Sequence, residues 1–186
     1  SCLFSEDIDV TKYDFIYACA QKNFGPSGIT LVIAKKELLE KSNPDLPNIL
    51  KYDAHANEGS MLNTPNTFGW YVAGKMFDWY LENGGVAEME KQSVAKTAML
   101  YDLIDKSDFY LNPVNPEQRS INNVVFTIVN SELEKVFLEE AEKADLRYLK
   151  GHRTVGGMRA SIYNSMKMES VSALKDFMES FEKNYG

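Results

Sequence analysis

Two cysteines, two histidines and two tryptophans are all that this 186-residue chain has of those residue types. The scarcity excludes several classes of protein. Cys2 and Cys19 are too few for a disulfide scaffold and lack metal-ligand spacing, so both are expected to be reduced, in the cytoplasm. Cys19 reads as a small core residue. No metal site is expected, because His55, within Asp53-Ala54-His55-Ala56-Asn57-Glu58, has no second histidine at ligand spacing and reads as a solvated loop residue. No apolar run reaches about eighteen residues, so no membrane span is expected. Basic side chains are also in deficit: 20 Lys and Arg face 27 Asp and Glu, a net charge of −7, which argues against broad binding to nucleic acid or anionic membranes. Internal repeats and low-complexity tracts are absent. The chain starts at Ser1 without an initiator methionine or a signal peptide, and its first strand is cut close to the start, so a fragment or a processed chain is expected.

What the sequence does have is a lysine at the exit of an apolar strand. Phe15–Ala20 reads as a strand with both faces covered, and Gln21-Lys22-Asn23 follows before Gly25-Pro26-Ser27-Gly28 turns the chain. A second strand, Ile29–Ala34, comes next. A desolvated amine at such a place can lose its proton and attack a carbonyl carbon. Sheet ends in α/β folds are also where ligands bind. The plainer reading of Lys22 is the solvated end of a strand.

A second segment runs from Gly151 to Asn164. Arg153 and Arg159 lie six residues apart around Gly156-Gly157, with His152 beside the first. Arginine suits bidentate binding of carboxylate or phosphate, and glycine allows the backbone to approach closely. The alternative is a hairpin carrying surface arginines.

Between these segments the chain alternates. Residues 37–65, broken by Pro44, Pro47 and Pro65, read as a long irregular loop. Helical spacing of Phe68, Tyr71, Val72, Met76, Trp79 and Tyr80 predicts a helix from about Asn66 to Glu82, ended by Asn83-Gly84-Gly85. Thr64 before Pro65 is a candidate cap for it. A second long helix spans 86–106. Strand candidates follow at 123–129, 146–150 and 158–163, with helices around Leu133–Ala144 and Val171–Phe181. This is the pattern of a small α/β domain whose sheet is covered on one face. The run Glu139-Glu140-Ala141-Glu142 reads as a solvated helix face. Gly69–Lys75 has the spelling of a phosphate-binding loop, but Met76 stands where the magnesium-binding hydroxyl is needed and the intervening residues are helical in period.

Five words occur in a fixed order along the chain: Ala20-Gln21-Lys22-Asn23, Gly59-Ser60-Met61-Leu62-Asn63-Thr64-Pro65, Asn83-Gly84-Gly85-Val86-Ala87-Glu88-Met89, Ser107-Asp108-Phe109-Tyr110 and Gly151–Asn164. Together they resemble the phosphoserine aminotransferases, class-V pyridoxal-phosphate enzymes of the aspartate-aminotransferase fold type (fold type I). The resemblance covers essentially the whole chain and the C-terminal half of the family's chain. It implies an α/β fold, with residues 1–105 as the end of the large cofactor-binding sheet domain with connecting long helices, and 106–186 as a small C-terminal α/β domain.

The resemblance also implies an activity: amino-group transfer between glutamate and 3-phosphohydroxypyruvate in serine biosynthesis, with a role in pyridoxine biosynthesis left open. The cofactor is pyridoxal 5'-phosphate, held by Lys22 as a Schiff base, with Gln21 as a hydrogen-bonding neighbour. Asn63 and Thr64 reach the cofactor phosphate of the second subunit in a homodimer. His152 and Arg153 take the substrate phosphate in the partner's site, and Arg159 clamps the α-carboxylate. The family's aspartate for the pyridine nitrogen, its ring-stacking tryptophan and most of its phosphate pocket belong upstream of Ser1, in a missing N-terminal half. Two departures stand out: Cys19 where glycine is common, and Lys167 where proline is common. Two other readings are a non-catalytic folding or dimerisation fragment, and an anion-binding α/β module that uses only His152, Arg153 and Arg159.

Overall fold

Strands β1 (Phe15–Cys19) and β2 (Thr30–Ala34) pair antiparallel, with Phe15 opposite Ala34 and Cys19 opposite Thr30. They belong to the computed structural model of residues 1–186, which describes the whole chain in two compact units, Ser1–Ala87 and Glu88–Gly186. Successive strand side chains point to opposite faces. Ala18 is buried while Tyr17 is 70% exposed, so these 186 residues by themselves do not cover both faces of β1. Cys19 is half-buried rather than core, with Sγ 3.8 Å from Thr30 Oγ1.

Helix α1 (Lys36–Leu39) follows, then a 3-10 turn at Asn48–Leu50 and helix α2 (Tyr52–Asn57). The expected irregular stretch therefore contains short helices, and His55 sits on α2 with Nε2 2.9 Å from the Ile49 carbonyl. That bond back across the preceding turn gives the half-buried histidine a structural role.

Helix α3 (Thr67–Glu82) is the main helix of the first unit. Its cap is Asn66, whose Oδ1 accepts from Gly69 N at 3.0 Å, and not Thr64. An acceptor must sit at the residue just before the helix to meet its orphan N–H groups, and Thr64 is two positions too early. Gly84 (φ 91°) and Gly85 (φ 70°) end the helix as expected. Phe77 and Tyr80 of α3 pack with Phe4 and Phe24 in an aromatic cluster with centroid separations of 5.4–5.9 Å.

In the second unit, helix α4 (Gly85–Lys106), most of which lies here, leads to strand β3 (Tyr110–Leu111) and a 3-10 turn at Pro116–Gln118. Strand β4 (Asn123–Ile128), helix α5 (Leu133–Lys143), strand β5 (Met158–Ser161) and helix α6 (Met168–Tyr185) complete the order. The sheet is antiparallel, in the order β3-β4-β5. On β4, Val124, Phe126 and Ile128 are buried and alternate with half-buried residues, the signature of a sheet packed mainly on one face. Phe137 of α5 is at the centre of the core, with ring centroids 5.7 Å from Phe126 and 5.0 Å from Phe181.

Leu100, Leu103 and Ile104 of α4 join this core, so the packing division falls between Ala87 and Glu88, whereas the sequence-based division is at 105/106. The strand expected at 146–150 is reduced to one bridge, Lys150 with Met158. Asp145 (φ 64°) and Tyr148 (φ 62°) adopt left-handed backbone, which breaks an extended run.

Candidate functional site

In the first unit the lysine lies on a closed turn. Ala20 N donates to Ile29 O at 3.0 Å, and the amides of Phe24 and Gly25 both donate to Ala20 O at 3.1 Å. The turn fits close to α3: a Cβ on Gly25 would lie 3.3 Å from Ala20 Cβ and 3.5 Å from Ala73 Cβ. Asn23 is buried and fastens the turn. Its Nδ2 donates to Leu3 O (3.1 Å) and Ser5 Oγ (2.7 Å), and its carbonyl accepts from Tyr80 Oη at 2.9 Å. This brings residues 2–5 over the turn, and the half-buried Lys22 has its Nζ 4.0 Å from Cys2 Sγ. Gln21, next to it, is exposed.

Asn63 and Thr64, also in this unit, are exposed. Asn63 Nδ2 donates to Thr64 O at 3.4 Å. Pro65 and Asn66 then lead into α3.

In the second unit Arg159 lies on β5, opposite Val125 and between the buried residues Met158 and Ala160. Its amide donates to Leu149 O at 2.7 Å. Its Nε is buried without a hydrogen-bond partner, an orphaned donor in a guanidinium whose fork geometry matches a carboxylate.

His152 and Arg153 are exposed on the loop before β5. Gly151 N donates to Gly157 O at 2.8 Å and closes the loop. Inside it, the amides of Val155 and Gly156 donate to His152 O at 2.9 and 2.8 Å. His152 Nδ1 lies 2.8 Å from Thr154 Oγ1 and accepts from Thr154 N at 3.3 Å, which leaves Nε2 as the ring's outward nitrogen. The loop borders a cleft of about 920 Å³ whose other wall is α5, including Glu134, Lys135 and Leu138. Arg159 does not line that cleft. Its guanidinium and the His152-Arg153 pair are therefore separate features of the second unit.

Sequence reasoning passed over Asn23, Ser5, Tyr80 and Cys2 as parts of the lysine site. The one signal for Asn23 was its place beside Gln21 and Lys22; nothing in a string marks a burial partner 57 positions away.

The chain is thus an α/β one with a lysine on the turn after a strand, a capped helix close to that turn, and arginines on and beside its last strand. The family model for aminotransferase class-V matches residues 3–174. The chain is 51% identical over its full 186 residues to a phosphoserine aminotransferase of Acinetobacter baylyi, and covers 52% of that protein. A solved phosphoserine aminotransferase studied for radiation damage of its Schiff base matches with a TM-score of 0.96 and 40% identity, over 99% of this chain and 51% of that one. The pyridoxal-phosphate-bound phosphoserine aminotransferase of Trichomonas vaginalis matches with a TM-score of 0.88 and 37% identity, over 94% of this chain and 50% of that one. The chain belongs to the class-V aminotransferase family, and it spans about half the length of the relatives it matches.

The loop geometry yields a stability prediction. Gly156 (φ 81°) and Gly157 (φ 62°) both need left-handed backbone. A Cβ on Gly156 meets nothing within 4 Å, whereas one on Gly157 would lie 2.7 Å from Thr127 Cγ2 and 2.8 Å from Phe126 O. Gly156→Ala should cost about 1 kcal/mol, and Gly157→Ala about 2–3 kcal/mol. Urea unfolding of the two variants measures the difference, and equal midpoints would contradict the close approach to β4.

Proposed function

We propose that this chain is the C-terminal portion of a phosphoserine aminotransferase, which moves an amino group between glutamate and 3-phosphohydroxypyruvate with pyridoxal 5'-phosphate. The observation that carries the reading is Lys22, half-buried on a turn that Asn23 and Tyr80 hold in place. The residues present fit the cofactor: a held primary amine for its carbonyl carbon, an adjacent amide in Gln21, and exposed hydroxyl and amide groups at Asn63-Thr64 for a phosphate.

Bound pyridoxal phosphate supplies the electron sink that makes the substrate Cα–H acidic. Lys22 Nζ is the amine that would hold the cofactor through its carbonyl carbon, and, once free, it would be the base placed to take and return the proton of the substrate Cα. Gln21 donates to the cofactor from beside the lysine. Asn63 and Thr64 serve the cofactor phosphate of the other subunit of a homodimer. Arg159 receives the α-carboxylate, and its partnerless Nε is a donor for it. His152 and Arg153, exposed on their glycine-closed loop, reach the substrate phosphate in the partner's site. Glutamate and phosphohydroxypyruvate each carry an α-carboxylate and a distal anion, so one cationic pocket serves both half-reactions. A place in serine biosynthesis, in the cytoplasm, with no nucleic-acid or membrane partner, belongs to the same reading, as does the division into a cofactor domain and a small C-terminal domain near residue 105.

Two experiments test it on enzyme assembled from this chain and the half its relatives carry beyond it. Borohydride reduction in the presence of cofactor, followed by peptide mapping, should place the label on Lys22; label on Lys12 or Lys35 would defeat the assignment. Arg159→Ala should weaken amino-acid and keto-acid substrates alike, and Arg153→Ala should weaken phosphorylated substrates most. A charge-assisted contact is worth about 1.5–3 kcal/mol, so losses of roughly ten- to a hundredfold are expected. Unchanged discrimination between phosphoserine and serine in Arg153→Ala would remove that residue from the phosphate site.

A further inference from the structure

Lys96 is the one lysine of the chain that is buried, at 2% exposure, on α4 beside the buried Ser93 and Thr97. No carboxylate lies within ion-pair distance of it. Burial pulls its pKa down from the ordinary lysine value, and a buried ammonium is costly unless its donors are met. They are met by main-chain oxygens. Nζ donates to Tyr163 O at 3.2 Å, Asn164 O at 3.4 Å and Met166 O at 3.0 Å, three N–H groups for three carbonyls.

Those carbonyls form the turn between β5 and α6. Met166 N also donates to Tyr163 O at 2.9 Å, and Ile162 N donates to Asn122 O at 2.7 Å. The strand they follow carries Arg159 and is only four residues long. It lies at the edge of its sheet, so β4 alone supports it as a strand neighbour. Its remaining ties are the Lys150–Met158 bridge, closed by Arg159 N donating to Leu149 O and Gly151 N donating to Gly157 O, and the bonds at its C-terminal end. At the C-terminal end the bond from Ile162 N to Asn122 O is joined by the three from Lys96.

We infer that Lys96 is a positioning residue: its ammonium is the built-in cation of a three-carbonyl ring that fixes the turn after β5 and holds Arg159 in register for a substrate carboxylate. The carboxylate role of Arg159 rests on the function proposed above; the ring and its hold on β5 do not. A hydrophobic replacement fills the space yet supplies no donor. A cation of the right shape, added from solution to a cavity left by a short side chain, supplies both.

The test uses Lys96→Met, and Lys96→Ala with and without propylammonium, which matches the atoms removed beyond Cβ. Tetramethylammonium, which has charge but no N–H, is the control. In the 186-residue chain, amide exchange at Arg159 should speed up at least tenfold in both variants while α5 amides keep their rates, and propylammonium should restore slow exchange in Lys96→Ala. In the assembled enzyme, KM for glutamate and for the phosphorylated keto acid should rise together by roughly tenfold, with kcat within about threefold of the parent. A variant that folds only with propylammonium would support the ring. Exchange at Arg159 that stays at the parent rate, or that propylammonium fails to restore, would overturn it. An inactive parent would count against the proposed function alone, because the exchange measurements still decide the role of Lys96.

Discussion

Asn23 ties three parts of the first unit to one point. Its side chain holds Leu3 and Ser5, and its carbonyl takes the hydroxyl of Tyr80 from α3. The consequence is mechanical. A lysine side chain has four rotatable bonds and wanders unless its backbone is fixed and its surroundings are filled. The turn around Ala20 fixes the backbone, and the segment folded over it by Asn23 fills the surroundings. Were Asn23 replaced by a residue without an amide, the buried Ser5 would lose its 2.7 Å bond and the cover over the lysine would loosen.

Arg159, His152 and Arg153 of the second unit are built on a different principle, and they differ from each other. Arg159 is placed by a strand, flanked by buried residues, with a donor already stripped of water. Little freedom is left to its backbone. His152 and Arg153 are exposed and lie on a loop whose own hydrogen bonds, not packing, define its path. Such exposed side chains keep more rotamer freedom than one flanked by packed neighbours.

Much of this was legible from the string of residues. The strand, the lysine and the glycine-proline turn were readable because an apolar run followed by breakers has few alternatives. Helix α3 and its glycine stop were readable from spacing. Other features were hidden for physical reasons. Tyr17 is exposed although its strand is apolar throughout, because periodicity does not tell how many faces are covered. The strand expected at 146–150 failed at Asp145 and Tyr148, where left-handed backbone depends on context and not on residue type. The cap of α3 moved from Thr64 to Asn66, two good capping residues between which only geometry decides. Lys96 was the least legible: a charged residue in a helix reads as solvated, and its acceptors are main-chain carbonyls nearly seventy positions away, which carry no signature.

The central claim is that Lys22 is the amine that holds the cofactor, in a site this chain completes only with the rest of the enzyme. An absorption spectrum taken after adding pyridoxal phosphate tests it most directly. The account predicts a visible band of lysine-bound cofactor when the 186-residue chain is combined with the half its relatives carry beyond it. The band should be weak or absent for the chain alone, and lost from the combination on Lys22→Ala. A band of full intensity in the Lys22→Ala protein would contradict the account.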